Sequence, residues 1–240
     1  MPDHRRTDPA RTPATKHEVH ADKTTTLDTT NTELRNLVEE ELIWDPAIPM
    51  ASIGVSVADH AVTLSGTVEN LASRLAAVRA TKRVKGVQAI ADDIVVHIAG
   101  DHIDHDIAGH VEAALRWSFE TPGTVHATVR DGAVNLDGVV DWNFQRRAAE
   151  RSVQDISGVR MINNNITLKE TESAHDVHSR ISNALHRAVN IDASRIKVTS
   201  DGSEVTLSGT VSSWAERETA SQAAWAAKGV TKVNDLLHIR

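Results

Sequence analysis

The sequence predicts an α+β protein made of three tandem α-β-β-α-β units, each a small three-stranded mixed sheet covered by two helices on one face. Three observations predict it. The heptapeptide Val-Thr-Leu-Ser-Gly-Thr-Val occurs at 62–68 and again at 205–211, and a looser copy occupies 134–140. A Gly-Val pair follows the glycine of each copy after 20 residues. Such a regular period indicates one structural unit repeated along the chain.

The period places the units at residues 31–98, 101–169 and 173–240. Residues 1–30 are polar and proline-containing, and we predict a disordered arm because they cannot bury enough apolar surface. A targeting arm is the alternative. The arm lacks the apolar stretch of a secretory signal, so we expect a cytoplasmic protein. The linkers around Gly100 and 170–172 are short and polar, which predicts a separate core for each unit and modest coupling between units.

Each unit begins with an amphipathic helix, because apolar residues recur there every fourth position. The helices should end near Trp44, Trp117 and Arg187. Possible capping boxes start the first helix, at Thr30 with Glu33, and the third unit's helix, at Ser173 with Asp176. The predicted buried positions are Leu34, Val38, Leu42, Ile107, Val111, Leu115, Val177, Ile181 and Leu185.

A β-hairpin follows, since apolar residues alternate with polar ones on both sides of a turn. Asp131-Gly132 and Asp201-Gly202-Ser203 are tight-turn sequences, whereas Asp59-His60 suggests a longer or less regular turn. The repeated glycine should end the second strand in each unit. These glycines are Gly66, Gly138 and Gly209.

A second helix of about 13 residues should begin near Asn70, Asn143 and Ala215, as repeated small residues suggest a helix lying close on a sheet. An arginine recurs on it, expected to be solvated or paired along the helix flank. The last strand then reaches the sheet by a right-handed crossover and lies parallel to the second strand. The repeated arginines are Arg74, Arg146 and Arg217, and the repeated polar positions of the last strand are Asp92, Asn164 and Asp235.

The combination of Val-x-Leu-x-Gly-x-Val, an alanine-rich helix and Gly-Val-x-x-Val-x-Asn/Asp-x-Leu resembles the BON domain family, named for bacterial osmotically induced and nodulation-type proteins. The third copy, with its motif at 229–236, matches best. The second departs at Asp137 and Val139, and the first has acidic residues at 92–93 where asparagine is usual. The resemblance implies a non-catalytic α/β module associated with the cell envelope, stress survival and phospholipid, and it makes the periplasm the alternative to the cytoplasmic location expected above. It implies no defined set of binding residues.

Composition excludes several function classes. The formal net charge is −7, and no segment has the basic patch that duplex nucleic acid requires. The chain has no cysteine, which excludes disulfide and thiolate chemistry, and no apolar run long enough for a membrane span. Ser65 and Ser208 end strands and lie outside any nucleophile motif, so we expect no enzyme and no cofactor.

One polar cluster could bind a cation, because histidine and aspartate are metal ligands. It comprises His102, Asp104, His105, Asp106 and His110. The alternative is a linker followed by a first helical turn, where acidic residues favour the helix dipole. A small-ligand or cation sensor that uses this cluster, or loop carboxylates such as Asp92 and Asp235, is therefore the alternative function.

The few aromatic residues form two groups, for which packing and entry into a membrane interface are both open. Trp142, Phe144 and Trp214 lie near the start of the second helix, and Trp44, Trp117 and Phe119 near the end of the first. The first two units each carry a net charge of −3, whereas residues 175–240 have eight basic and seven acidic residues. We therefore predict that the third unit makes the primary contact with phospholipid or a protein partner, unless Trp214 is buried. Its candidate contact residues are Trp214, Arg187, Arg195 and Lys197, and those of the second unit are Trp142 and Phe144.

Overall fold

The computed structural model describes residues 21–98, 100, 103–118, 120–169, 177–188 and 192–240, with backbone alone for 21–29. The first unit comprises α1 (Ala21–Ile43), β1 (Ile53–Ala58), β2 (Ala61–Val68), α2 (Leu71–Arg83) and β3 (Ala89–Val96). The second comprises α3 (Asp104–Trp117), β4 (His126–Arg130), β5 (Ala133–Asp137), β6 (Val139–Val140), α4 (Asn143–Val153), β7 (Met161–Asn164) and β8 (Thr167–Leu168). The third comprises α5 (Val177–Arg187), β9 (Ile196–Asp201), β10 (Glu204–Val211), α6 (Trp214–Trp225) and β11 (Lys232–Ile239).

The predicted fold class is confirmed, with three repeated units of mixed sheet and two helices. In each unit the hairpin is antiparallel and the last strand joins parallel to the second, so the central strand has both kinds of neighbour. The strand orders are β1-β2-β3, β4-β5-β7 and β11-β10-β9, with β6-β8 as a short continuation in the second unit. The parallel pairing follows from the helical crossover that each unit contains.

The predicted apolar faces of the first helices are confirmed. All nine of the predicted positions are buried, because each lies on the face that its helix turns to the sheet. The second helices also begin where predicted, and buried alanines on them allow close approach to the sheet. These alanines are Ala77, Ala149 and Ala220.

The prediction that the repeated glycine ends the second strand is wrong in the two outer units. Strands β2 and β10 run on through Gly66 and Gly209, and only the second unit breaks its strand, at Gly138. Gly66 and Gly209 have φ of 128° and 124°, and a Cβ on either would overlap the carbonyl oxygen of Ser52 or Arg195. Glycine is therefore required by close backbone approach within a continuing strand.

The expected irregular turn at Asp59-His60 is also wrong. Ala58 pairs with Ala61, so the loop has two residues, and both have positive φ, 47° and 63°. This is the backbone of a primed hairpin turn. The His60 ring lies within hydrogen-bonding distance of the Gly86 carbonyl, at 3.2 Å, and His60 accepts a bond from the Gln88 amide, so tertiary contacts hold a turn that the sequence does not favour.

Two boundary predictions change. Residues 21–30, predicted as part of the disordered arm, are helical, since α1 begins at Ala21. Thr30 therefore lies inside the helix, and extending an existing helix needs no new nucleus. Residues 1–20 and the predicted Ser173–Asp176 cap lie outside the described residues.

The prediction of one core per unit holds for the third unit alone. The buried side chains of the first two units form one contiguous cluster, which includes Ile98 in the connection between them. The third unit has its own cluster, built around Ile181, Val205 and Leu207. Trp214 of the third unit packs against the cluster of the first two.

Candidate binding surfaces

The repeated arginine of the second helix makes an ion pair in the two outer units and a different contact in the second unit. In the outer units it pairs with the aspartate of the last strand, Arg74 Nε to Asp92 Oδ2 at 3.0 Å and Arg217 Nε to Asp235 Oδ2 at 2.8 Å. Each aspartate also accepts a bond from the backbone amide two residues later. The expectation of pairing along the helix flank is thus met within these units.

In the second unit, Asn164 occupies the aspartate position, and the Arg146 side chain contacts the third unit instead of its own last strand. Its guanidinium lies 4.6 Å from the ring centroid of Trp225 on α6, a cation–π contact between units. Asn164 instead donates to the Arg146 carbonyl and the Glu150 carboxylate. Burial lowers the pKa of the Arg146 guanidinium; Glu150 opposes this and Arg147 adds to it.

Trp214 lies at the junction of the units and is only partly exposed. Lys82 of α2 and Arg217 of α6 are 5.1 Å and 5.3 Å from its ring centroid. Its indole N–H is buried and has no hydrogen-bond partner among the described residues. Of the two interpretations that the sequence left open for Trp214, the structure favours burial, at an interface between units.

The other aromatic residues predicted beside Trp214 are more accessible. Trp142 is 39% exposed and Phe144 is 53% exposed at the start of α4. They line a cleft of about 330 Å³ together with Trp225 and Ala226 of α6. The predicted group is therefore divided, with Trp214 at the junction and Trp142 and Phe144 at a surface cleft between the second and third units.

The ends of the first helices carry the most exposed aromatic side chains of the described residues. Trp44 is 84% exposed and Trp117 is 82% exposed, so packing, one of the two interpretations of these residues, is excluded. Ile43, beside Trp44, is also exposed. The exposure of both tryptophans could have been predicted from the sequence, because each follows the last predicted buried position of its helix. Phe119 lies outside the described residues.

The predicted basic contact residues of the third unit are exposed but are not brought together with Trp214. Arg195 pairs with Asp192 at 2.8 Å. Lys197 lines a groove of about 370 Å³ between α5 and β9, with His178 and His186. Arg187 is the last residue of α5. Trp214 lines a different cleft, so the predicted combination of cation and aromatic anchor is not formed at the groove.

The described members of the predicted histidine and aspartate cluster are not arranged for a metal ion. The Asp104 carboxylate accepts bonds from the amides of Asp131 and Gly132, at 2.8 Å and 3.0 Å, and so holds the β4–β5 turn. Within the described ranges, no three histidine or acidic residues are placed to hold an ion. His102 lies outside them. His105, Asp106 and His110 are on α3, and the loop carboxylates Asp92 and Asp235 are engaged by arginine.

Sequence reasoning missed Glu216, a carboxylate buried at the start of α6. It accepts bonds from the Ser212 amide and hydroxyl, both 2.6 Å, and from the Asp192 amide at 2.9 Å. Burial acts to raise the pKa of the Glu216 carboxyl, but the hydrogen bonds from Ser212 and the Asp192 amide outweigh it, so the pKa is lowered. Ser213-x-x-Glu216 fits the sequence pattern of a capping box and could have identified it, although the carboxylate bonds the amide of Ser212 and not that of Ser213.

No helix within the described part of the chain combines the length and the apolar character needed to cross a membrane. The profile of the BON domain matches three stretches of the sequence, residues 30–97, 103–170 and 173–240. The chain belongs to the BON domain family. The resemblance seen in the sequence is thus confirmed, as three tandem BON domains.

A curated relative of this BON protein is the osmotically-inducible protein Y of Escherichia coli (strain K12). It is 30% identical over 139 residues, which cover 55% of this chain and 69% of that protein. Two structures of CdsD, a structural protein of the type III secretion system of Chlamydia trachomatis, match at 12% identity and a TM-score of 0.25. They cover 87% of this chain and 98% and 92% of theirs. A TM-score this low supports no argument.

The positions shared by the three BON domains are mostly buried, and the contacts that distinguish them lie at their surfaces. The valine and leucine of the repeated Val-x-Leu-x-Gly motif are fully buried in every copy. The repeated arginine pairs with an aspartate of its own domain in the first and third domains but contacts Trp225 of the next domain in the second. Trp214 and Trp225, the indole rings that contact neighbouring domains, both belong to the third. The shared motif therefore builds the fold, while residues outside it supply the candidate contacts. The buried motif residues are Val62, Leu64, Val134, Leu136, Val205 and Leu207.

Proposed function

We propose that this protein is a non-catalytic, stress-related binding module that contacts a phospholipid surface, or else a protein partner, through its BON domains. The observation that carries the proposal is the exposure of Trp44 and Trp117 at equivalent helix ends. An indole ring has an apolar body and a polar N–H, and such rings are favoured at the boundary between lipid and water. The stress role is proposed from the osmotically inducible relative.

The surroundings of the two tryptophans determine which surface they suit. Glu40, Glu41 and Asp45 flank Trp44, and Glu112 and Glu120 lie near Trp117 in the chain. Four of these five carboxylates are paired with arginine, so the surface around the tryptophans has no excess positive charge to attract anionic headgroups. The tryptophans should therefore enter a neutral lipid interface at least as well as an anionic one. We therefore propose interfacial insertion rather than charge attraction as the mode of contact. The proposed location is the cytoplasm.

The test is co-sedimentation of the full chain with phosphatidylcholine vesicles, with and without phosphatidylglycerol, at low and high salt. We expect salt-insensitive binding that the double variant Trp44→Ala/Trp117→Ala abolishes. Leu236→Ala, which removes an exposed apolar side chain elsewhere, is the matched control and should bind normally. Binding that needs phosphatidylglycerol, or that survives the double variant, would rule out this mode. No binding to any vesicle would leave a protein partner as the proposal.

A further inference from the structure

A basic cleft lies where the second helices of the three units meet. Its volume is about 610 Å³. Five cationic side chains line it, and they come from all three units: Arg79, Lys82 and Arg83 of α2, Arg147 of α4, and Arg217 of α6. Glu218 and Asp235 are its only acidic residues among those described. The cleft is therefore positive in a chain whose net charge is −7.

Both carboxylates of the cleft are already neutralised. Glu218 accepts a bond from Arg147 at 2.7 Å, across the boundary between the second and third units. Burial acts to raise the pKa of Glu218, but the bonds from Arg147 and Gln222 and the charges of Arg147 and Lys82 outweigh it and lower the pKa. Asp235 pairs with Arg217. Neither carboxylate forms a direct ion pair with the other cations of the cleft within the described residues.

Two cations of the cleft have no carboxylate partner in the described part of the chain, namely Arg79 and Lys82. Lys82 lies over the ring of Trp214, which fixes its ammonium group beside the cleft. Arg83, four residues from Arg79 and so about one turn further along the same face of α2, is held by Glu41 at 2.6 Å. The unpaired positive charge is thus held on a packed helix and on an aromatic ring, not on a mobile loop.

The start of α6 also faces the cleft, since Trp214 and Ala215 in its first turn line it. The positive end of this helix is already complemented by the buried Glu216 carboxylate, so an anion in the cleft would be held by the cations. Guanidinium groups add a planar pair of donors that matches phosphate oxygens. The cleft therefore combines a cavity with unpaired cations, and both favour a compact anion with several charges.

We propose that this cleft binds an oligophosphate anion, for which pyrophosphate is the probe. Arg79 and Lys82 are its principal contacts, and Arg147 and Arg217 border it from the other two units. Neither Trp44 nor Trp117 lines this cleft, so the site goes beyond the binding surface proposed above. Because its cations come from three units, the anion stabilises their packed arrangement over any separated one.

The experiment is calorimetric titration of the full chain with sodium pyrophosphate at constant ionic strength. We expect saturable binding at one site and a midpoint of thermal unfolding that rises with pyrophosphate concentration. The variant Arg79→Gln/Lys82→Gln should weaken binding by at least about tenfold, as charged hydrogen bonds to phosphate are strong. Arg130→Gln/Lys228→Gln removes the same charge from exposed residues outside the cleft and should bind like the parent protein.

Three results of the pyrophosphate titrations would overturn the proposal. They are the absence of saturable binding, equal affinity in the cleft variant and the parent, and equal weakening in the control variant. Titration with citrate tests whether the cleft prefers phosphate to carboxylate groups. Citrate binding as tight as pyrophosphate binding would show that the cleft responds to negative charge alone, and would overturn the assignment to phosphate. Phosphatidylglycerol vesicles test whether the bound phosphate belongs to a lipid headgroup or to a free anion. Vesicle binding that depends on Arg79 and Lys82, without pyrophosphate binding, would assign the cleft to lipid phosphate and overturn the free anion. Trp44→Ala/Trp117→Ala should leave pyrophosphate binding unchanged, which separates this test from that of the proposed function.

Discussion

The second unit and the two outer units use the same arginine position in opposite ways. Arg74 and Arg217 reach the aspartate of their own last strand, whereas Arg146 reaches the indole ring of Trp225 in the next unit. One local difference is Asn164 in place of aspartate. An uncharged partner leaves the guanidinium without a carboxylate, and an aromatic face then becomes its better neighbour.

A second comparison gives the same lesson. The third residue of the second helix is Ser73, Gln145 or Glu216 in the three units. The Ser73 hydroxyl donates to the Ala47 carbonyl, the Gln145 carbonyl oxygen accepts from the amides of Asp141 and Trp142, and Glu216 accepts three bonds. In all three units, the side chain at this position forms a hydrogen bond to backbone that precedes the helix, but the bonding groups differ from unit to unit. The predictions that follow separate what the units share from what distinguishes them.

The largest effect should come from the feature that all three units share. Gly209→Ala would place a Cβ against the Arg195 carbonyl oxygen at a φ of 124°. We expect a loss of more than about 4 kcal/mol in the free energy of unfolding of that unit, because both the clash and the backbone conformation are unfavourable. Chemical denaturation followed by circular dichroism measures it. Gly202→Ala is the control: its φ is also positive, at 57°, but a Cβ there meets no atom within 4 Å, so its loss should be much smaller. Equal losses would contradict the close-approach argument.

The next effect tests whether the first two units are coupled more tightly than the third. Leu42→Ala, Leu115→Ala and Leu185→Ala should each cost about 2–5 kcal/mol through lost burial and a residual cavity. Because the first two units share one buried cluster, Leu42→Ala should lower amide protection in both of them. Leu185→Ala should act mainly on the third unit. Hydrogen exchange resolved by unit checks this, and a Leu42→Ala effect confined to residues 31–98 would contradict the shared core.

The comparison also indicates which features a sequence can predict. The nine buried positions of the first helices follow from a period of 3.6 residues, a local property that needs no knowledge of partners. The role of Gly209 depends on Arg195, and the pairing of Arg147 with Glu218 joins residues 71 positions apart. Neither has a periodic signature. The exposure of Trp44 and Trp117 lies between these cases, because their position past the last buried residue is visible in the sequence but the open surface around them is not.

A smaller effect should distinguish the third unit by pH. The pKa of Glu216 is lowered by folding, so its contribution to stability is present above its unfolded pKa and is lost as pH falls through its folded pKa. At neutral pH, Glu216→Gln removes one acceptor oxygen and should cost about 1–3 kcal/mol. That variant should also flatten the decline in protection of α6 amides in acid. The second unit has Gln145 at the same position, so its α4 amides act as the internal control. An unchanged acid response of α6 in the variant would assign that response to other carboxylates.

The smallest effect returns to the arginine. Asn164→Asp gives the second unit the carboxylate of its neighbours, so Arg146 should turn to its own strand and leave Trp225. A double-mutant cycle between Arg146→Gln and Trp225→Leu should show a coupling of about 0.5–1 kcal/mol in the parent protein. In the Asn164→Asp background the coupling should fall towards zero. Asp92→Asn, at the same position of the first unit, is the matched control and should leave the coupling intact. If the coupling persists in Asn164→Asp, the contact between units is set by the packing of α4 on α6, and the single substitution of aspartate by asparagine does not explain why the middle unit differs.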